Sequence, residues 1–163
     1  MKRWLQNLFA LPFVARLRFD ARVLADIEAA IATLERAHAG ELRFVVENAL
    51  DFAQLRAGCT ARARALEQFG LQGVWDTEGN NGVLIYVLLA EQRVEIIADR
   101  GIAARVEQSE WDAVCRRVES EYRAGRFREG SIAAVTGVGE LLARHFPAAA
   151  GDRNEQPDRP ILL

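Results

Sequence analysis

The segment Val83-Leu84-Ile85-Tyr86-Val87-Leu88-Leu89 constrains this chain more than any other. Seven apolar residues in a row leave no polar face to turn toward water, so a strand built from them must be covered on both sides. Such a strand sits centrally in a sheet, between helical layers. It is entered through a polar loop, Val74-Trp75-Asp76-Thr77-Glu78-Gly79-Asn80-Asn81-Gly82, which is rich in turn residues and carries two acids. After it, Glu91-Gln92 offers a two-residue turn, without the favoured glycine. Arg93 to Ala98 then reads as a returning antiparallel strand, ended by Asp99-Arg100-Gly101.

The rest of the chain supplies the layers. Residues 20–39 read as a helix: Asp20 is a suitable N-cap, Leu24, Ile27, Ile31 and Leu34 form one apolar stripe, and Gly40 stands as the C-cap. Glu41 to Glu47 reads as a strand. Residues 59–70 read as a second helix with Ala63, Leu66 and Phe69 on one side. A third spans 106–124, with Trp111, Val114, Cys115, Val118 and Tyr122 at helical spacing and Ser109 as its cap. A fourth spans 130–145, where Gly137 and Gly139 would permit close packing on the sheet. The order predicts an α/β fold: a three-layer α/β/α sandwich around a small mixed sheet, with a parallel crossover and an antiparallel hairpin.

Two segments flank this domain of residues 20–147. Residues 1–19 form an amphipathic N-terminal arm with Trp4, Leu5, Leu8, Phe9, Leu11, Phe13 and Val14, and with no acid before Asp20. Either the arm packs on the domain, or it touches an anionic membrane or a partner protein; Pro12 limits any helix across it. Residues 148–163, rich in Ala, Gly, Pro and charge, read as a mobile tail as far as Ile161-Leu162-Leu163.

A length of 163 residues, half of them apolar, suits one domain with a real core. The formal net charge of −2 supplies no basic field for nucleic acid. No stretch reaches the ~18 apolar residues of a membrane span. Cys59 and Cys115, read as buried thiols on helices, form no disulfide framework, which favours a reducing, cytoplasmic setting with peripheral membrane contact through the arm. The alternative is export, since Lys2-Arg3 before an apolar run loosely imitates a signal peptide. Gln6, Asn7 and Pro12 interrupt that run.

A two-residue turn at Glu91-Gln92 pairs Arg93 with Ala90, Ile96 with Val87 and Asp99 with Leu84, and brings Gly101 opposite Gly82. Asp99 thereby arrives beside the polar loop, which gathers Asp76, Glu78 and Asp99 with the amide oxygens of Asn80 and Asn81. Hard oxygen donors on a loop shaped by Asn80, Asn81, Gly82 and Gly101 suit Ca2+ or Mg2+. The plainer reading is an Asx-turn and a capping acid paired with Arg100. Glu47 ends the first strand and belongs to the opposite end of the sheet. His38 and His145 fall near helix C-termini, where capping is their natural role. The run Arg116, Arg117, Arg123, Arg126 and Arg128 is interspersed with acids and reads as a salt-bridged helix face. No nucleophile motif is present.

The segments Asn80-Asn81-Gly82-Val83-Leu84-Ile85-Tyr86-Val87, Arg93-Val94-Glu95-Ile96 and Asp99-Arg100-Gly101-Ile102 together resemble the core of the TPM domain. So does the later pattern from Trp111 through Gly125-Arg126-Phe127 and Gly130 to His145-Phe146-Pro147. That family includes a thylakoid-lumen protein described as an acid phosphatase and a photosystem-associated repair factor. The resemblance implies a three-layer α/β/α domain. It also implies divalent-metal binding at the loop and hairpin end, which carries over to Asp76, Glu78 and Asp99. Where the family commonly has glycine-aromatic-glycine after the second hairpin strand, this chain has Asp99-Arg100-Gly101. Two functions are expected. One is a non-catalytic interaction module, metal-stabilised, acting with a membrane-associated or envelope protein. The alternative is a metal-assisted phosphatase for phosphate monoesters, with Arg100 against the phosphate.

Overall fold

In the computed structural model, which describes residues 2–148 and 154–163, the chain opens with two short helices, α1 (Lys2–Leu8) and α2 (Val14–Arg18). Pro12 lies in the break between them. There follow α3 (Ala21–Leu34), β1 (Glu41–Glu47), α4 (Phe52–Arg56), α5 (Ala61–Leu71), β2 (Gly82–Leu88) and β3 (Arg93–Ala98). The chain continues through α6 (Arg100–Ala103), α7 (Gln108–Arg123), α8 (Phe127–His145) and β4 (Ile161–Leu162).

The sheet order is β3-β2-β1-β4. β1 runs parallel to β2, pairing Glu41 with Gly82 and Glu47 with Leu88, and β3 returns antiparallel to β2. Every residue of β2 is buried. Its alternate side chains serve two separate cores, as the unbroken apolar run requires. Val83, Ile85 and Val87 join Leu42, Phe44 and Val46 of β1 under α3, α7 and α8. Leu84, Tyr86 and Leu88 join Val45 and Ile97 under α4 and α5. The fold is therefore the expected helix–sheet–helix arrangement around a small mixed sheet. Among the described residues, no helix is long and apolar enough to cross a membrane.

The structure revises several details. The hairpin register is shifted by two residues: Leu88 pairs with Arg93, Ile85 with Ile96 and Val83 with Ala98. The turn takes four residues, because Leu89–Glu91 coil into a 3-10 turn and Gln92 adopts the left-handed conformation at φ 51°. An even shift leaves every side chain on its expected face.

The helix after Asp20, whose side chain does accept from the amides of Arg22 and Val23, ends at Leu34. A 3-10 turn, Glu35–Ala37, continues it, and His38, extended and buried, stands at the C-cap of that turn. Gly40 lies against Leu142, whose Cδ1 would stand 2.8 Å from an added Cβ. In α5 the buried face is Ala61, Ala65 and Gln68, while Leu66 points outward; the small residues let the helix approach the sheet. Cys59 precedes α5 rather than lying on it. α7 starts with a capping box between Glu107 and Glu110, not at Ser109. Gly137 and Gly139 of α8 admit Val114 of α7 and Leu34 of α3, so they pack helices and not the sheet.

The C-terminal segment, read as a tail, is attached over its described part, 154–163. β4 adds parallel to β1, pairing Val45 with Ile161 and Val46 with Leu162, and the Leu163 amide donates to the Val46 carbonyl at 2.9 Å. Arg43 donates to the carbonyls of Pro157 and Arg159. These bonds satisfy an edge that would otherwise expose backbone groups. The part at 149–153 lies outside the described residues.

Candidate functional site at the loop and hairpin end

The parallel β1–β2 pair decides what meets at the loop. Both strands start there, so Glu41 and Gly82 are neighbours, and β3 ends there. The Asp99 amide donates to the Gly82 carbonyl at 2.8 Å, and the Gly101 amide to the Asn80 carbonyl at 3.1 Å. Asp99 thus reaches the loop as expected, although opposite Gly82 rather than Leu84. Asn80 takes the left-handed conformation at φ 49°, which asparagine tolerates. Thr77 braces the turn: its carbonyl accepts from the Asn80 amide, and its hydroxyl accepts from the Asn81 amide at 3.1 Å.

Two glycines are sterically required. A Cβ on Gly82 would stand 1.9 Å from the Val74 carbonyl oxygen, and one on Gly101 would stand 2.5 Å from that of Asn80. The start of β2 and the start of α6 are therefore pressed against the loop backbone.

Asp99 caps α6: its Oδ1 accepts from the Arg100 amide at 2.7 Å. Its Oδ2 is buried without a hydrogen-bond partner among the described residues, and so is Asn81 Oδ1. The Asn81 Nδ2 donates to the Ala39 carbonyl, which turns the amide oxygen away from that contact. Buried acceptors without donors are costly. Asp76 and Glu78 stand on the same loop with exposed side chains. Arg100, also exposed, donates from Nε to Asn80 Oδ1 at 3.0 Å. Among the described residues no three side chains of His, Cys, Asp or Glu form a ready-made cage for a metal ion, so Asp76, Glu78 and Asp99 do not stand together as one.

Sequence reasoning missed the contribution of the C-terminus. Glu155 accepts at its carboxylate from the Glu78 amide at 3.2 Å, and Gln156 Nε2 donates to the Gly73 carbonyl at 3.0 Å. Glu41 Oε2 receives the amides of Glu155 and Gln156 at 3.0 and 2.9 Å. Glu41 opens a strand next to the loop, which is a readable signal; the approach of residues 154–156 leaves none.

Beside this end, burial raises the Glu35 carboxyl to about 8, opposed by the Leu42 amide and reinforced by Asp158 and Glu41. At the far end of the sheet Glu47 is used structurally. It accepts from Tyr86 Oη at 2.6 Å and from both Nε and Nη2 of Arg64. Its exclusion from the loop cluster on strand direction matches this geometry. At both cysteines burial disfavours the thiolate: it raises Cys59, and pushes Cys115 up to about 12. Within the arginine run, Arg123 and Arg126 pair with the interspersed acids Glu119 and Glu121 as expected, whereas Arg128 pairs with Asp26 of α3.

A family model described as the TPM domain matches residues 18–141. The chain belongs to the TPM domain family. Among the solved structures that share the fold are three from bacteria. The BA42 protein from the psychrophilic bacterium Bizionia argentinensis is 26% identical, with a TM-score of 0.77 over 88% of this chain and 94% of that one. An N-terminal domain from P. gingivalis has a TM-score of 0.58 at 18% identity, covering 74% and 76% of the two chains. The N-terminal domain of cg2496 from Corynebacterium glutamicum has 0.55 at 15%, covering 76% and 73%. No curated protein matches this TPM domain significantly.

Proposed function

We propose that this TPM domain is a non-catalytic binding module whose loop and hairpin end takes Ca2+ or Mg2+ and acts with a membrane-associated protein partner. The observation that carries the cation is the buried, unpartnered Asp99 Oδ2, accompanied by Asn81 Oδ1 at the same end of the sheet. These are hard oxygen donors, the kind both cations prefer. Asp99 would anchor the ion with Asn81, and the exposed carboxylates of Asp76 and Glu78, which are not gathered there beforehand, would have to swing toward it to add to its shell. Partial burial of both thiols, which disfavours the thiolate, supports a binding role over nucleophilic catalysis.

The test is titration of the protein with Ca2+ and then Mg2+, following amide resonances and Tm. Asp99→Asn is run in parallel, because asparagine keeps the cap on α6 while removing the charge. Saturable shifts confined to 74–82 and 99–101, with a raised Tm that Asp99→Asn loses, are the expected result. No binding at millimolar cation would remove the site.

The second reading is metal-assisted hydrolysis of phosphate monoesters. It is supported by Arg100, an exposed guanidinium held at the loop through Asn80, which would meet the phosphate. Divalent-dependent turnover that Arg100→Ala abolishes would favour it over the binding role.

A further inference from the structure

The N-terminal arm is fixed to the domain by polar groups and by Ala15 and Phe19, and leaves a set of its apolar side chains outward. Arg3 Nε donates to Glu91 Oε1 at 2.7 Å, and Asn7 Nδ2 to the same oxygen at 2.9 Å. Asn7 Oδ1 accepts from the Leu50 amide at 2.8 Å, and Asn48 holds the Leu11 carbonyl at 3.2 Å. Farther along, Ala15 and Phe19 are buried, and Phe19 packs edge-on to Tyr122 and Phe127.

What remains outside is inverted relative to an ordinary surface helix. Leu5, Leu8, Phe9, Leu11, Phe13 and Leu17 are each at least 50% exposed, and Phe9 reaches 75%. In α1 the residues facing the domain are Arg3 and Asn7, one turn apart, so Leu5 and Leu8 lie on the opposite side. In α2 Ala15 is the inward residue; Leu17 lies opposite it, flanked around the helix by the exposed Arg16 and Arg18. Six large apolar side chains exposed within thirteen residues mark an interaction surface.

The charge on the arm selects the occupant. Lys2, Arg3, Arg16 and Arg18 are its only charged residues. The nearest acid in sequence, Asp20, is occupied as a helix cap and Asp26 pairs with Arg128; Arg3 is itself paired with Glu91, so Arg16 and Arg18 are the exposed cations beside the apolar face. Leucine and phenylalanine between arginines match a lipid interface: rings and alkyl chains enter the acyl boundary while guanidinium groups reach up to phosphates.

We infer that this face, Leu5 to Leu17, docks the protein on a bilayer surface containing anionic phospholipid. It lies at the far end of the strands from the loop and needs no cation there.

The test is co-sedimentation of the full chain with vesicles of phosphatidylglycerol and phosphatidylcholine, and with phosphatidylcholine alone, in EDTA. EDTA separates this result from failure of the loop site. Phe9→Ser/Leu17→Ser and Arg16→Glu are compared with wild type, after circular dichroism confirms that both variants are folded; all three side chains are exposed. Expected is binding to the anionic vesicles alone, weakened by salt and reduced on the order of tenfold by either variant. Four results would overturn the inference. One is no binding to anionic vesicles. Another is equal binding to neutral vesicles, or binding that survives Phe9→Ser/Leu17→Ser. The last is a dimer in sedimentation velocity that the double variant dissociates without any lipid binding, which would assign the face to a second copy.

Discussion

Gly82→Ala should be among the most damaging single-methyl additions to this chain. The added Cβ would lie 1.9 Å from the Val74 carbonyl oxygen, 3.0 Å from its carbonyl carbon and 3.1 Å from its Cγ1. Two of these atoms are backbone, and Val74 is fully buried, so no flexible side chain can yield. Either the loop or the start of β2 must move by about 1 Å or more to restore ordinary contact. Overpacking of this type costs roughly 1–3 kcal/mol, and the bonds Asp99 N–H to Gly82 and Glu41 N–H to Asn81 place the cost at the upper end. At about 2–4 °C per kcal/mol for a chain this size, Tm should fall by roughly 6–12 °C. The control is Gly70→Ala in α5, where a Cβ meets nothing within 4 Å; relieving helical glycine should stabilise by about 0.5–1 kcal/mol. Thermal melts by circular dichroism measure both, and amide shifts locate the disturbance. The reasoning fails if Gly82→Ala melts within a degree or two of wild type, or if Gly70→Ala is the more harmful change.

Other substitutions probe separate parts. Tyr86→Phe removes the donor to Glu47, a bond to a charged acceptor, and should cost about 1.5–3 kcal/mol in urea unfolding; an unchanged midpoint would discard the network as a stabilising element. The Glu35 carboxyl, raised by burial to about 8 from 4.5, stabilises the fold fully below its unfolded value and progressively less as pH rises through the folded one. Glu35→Gln should therefore flatten the Tm profile between about pH 4.5 and 8 and melt above wild type at the alkaline end; parallel profiles would refute this. Removing Ile161–Leu163 uncovers the outer edge of β1, and should cost about 2 kcal/mol for two half-buried apolar side chains and promote aggregation seen by light scattering.

Legibility in the sequence followed the range of the interactions. β1 was readable to the residue because its boundaries are local, and β2 because an unbroken apolar run has one good explanation. α4 was overlooked, although Asp51 and Gln54 form a capping box that is visible in the sequence. The hairpin register slipped because Gln92, not a glycine, takes the left-handed turn position. α5 was rotated because hydrophobic size was taken to mean burial; against a sheet, Ala61 and Ala65 face inward precisely where a larger Leu66 would hold the helix off. At the site, the meeting of Asp99 with the loop followed from strand direction. The approach of Glu155 and Gln156 did not, since a pairing between residues more than seventy positions apart depends on tertiary contacts with no local signature.

The strands also set a spacing between the two ends of the molecule. β2 is seven residues long, which at ~3.3 Å per residue separates the Asn80–Gly82 loop from the Glu91 anchor of the arm by about 20 Å. That exceeds twice the screening distance of ~8 Å at physiological salt. Charge gained or lost at one pole is therefore nearly invisible to the other. An effect of cation on vesicle attachment, or the reverse, would have to be transmitted mechanically through the doubly buried strand. Without it, the two poles titrate independently and the molecule behaves as a bridge with uncoupled ends.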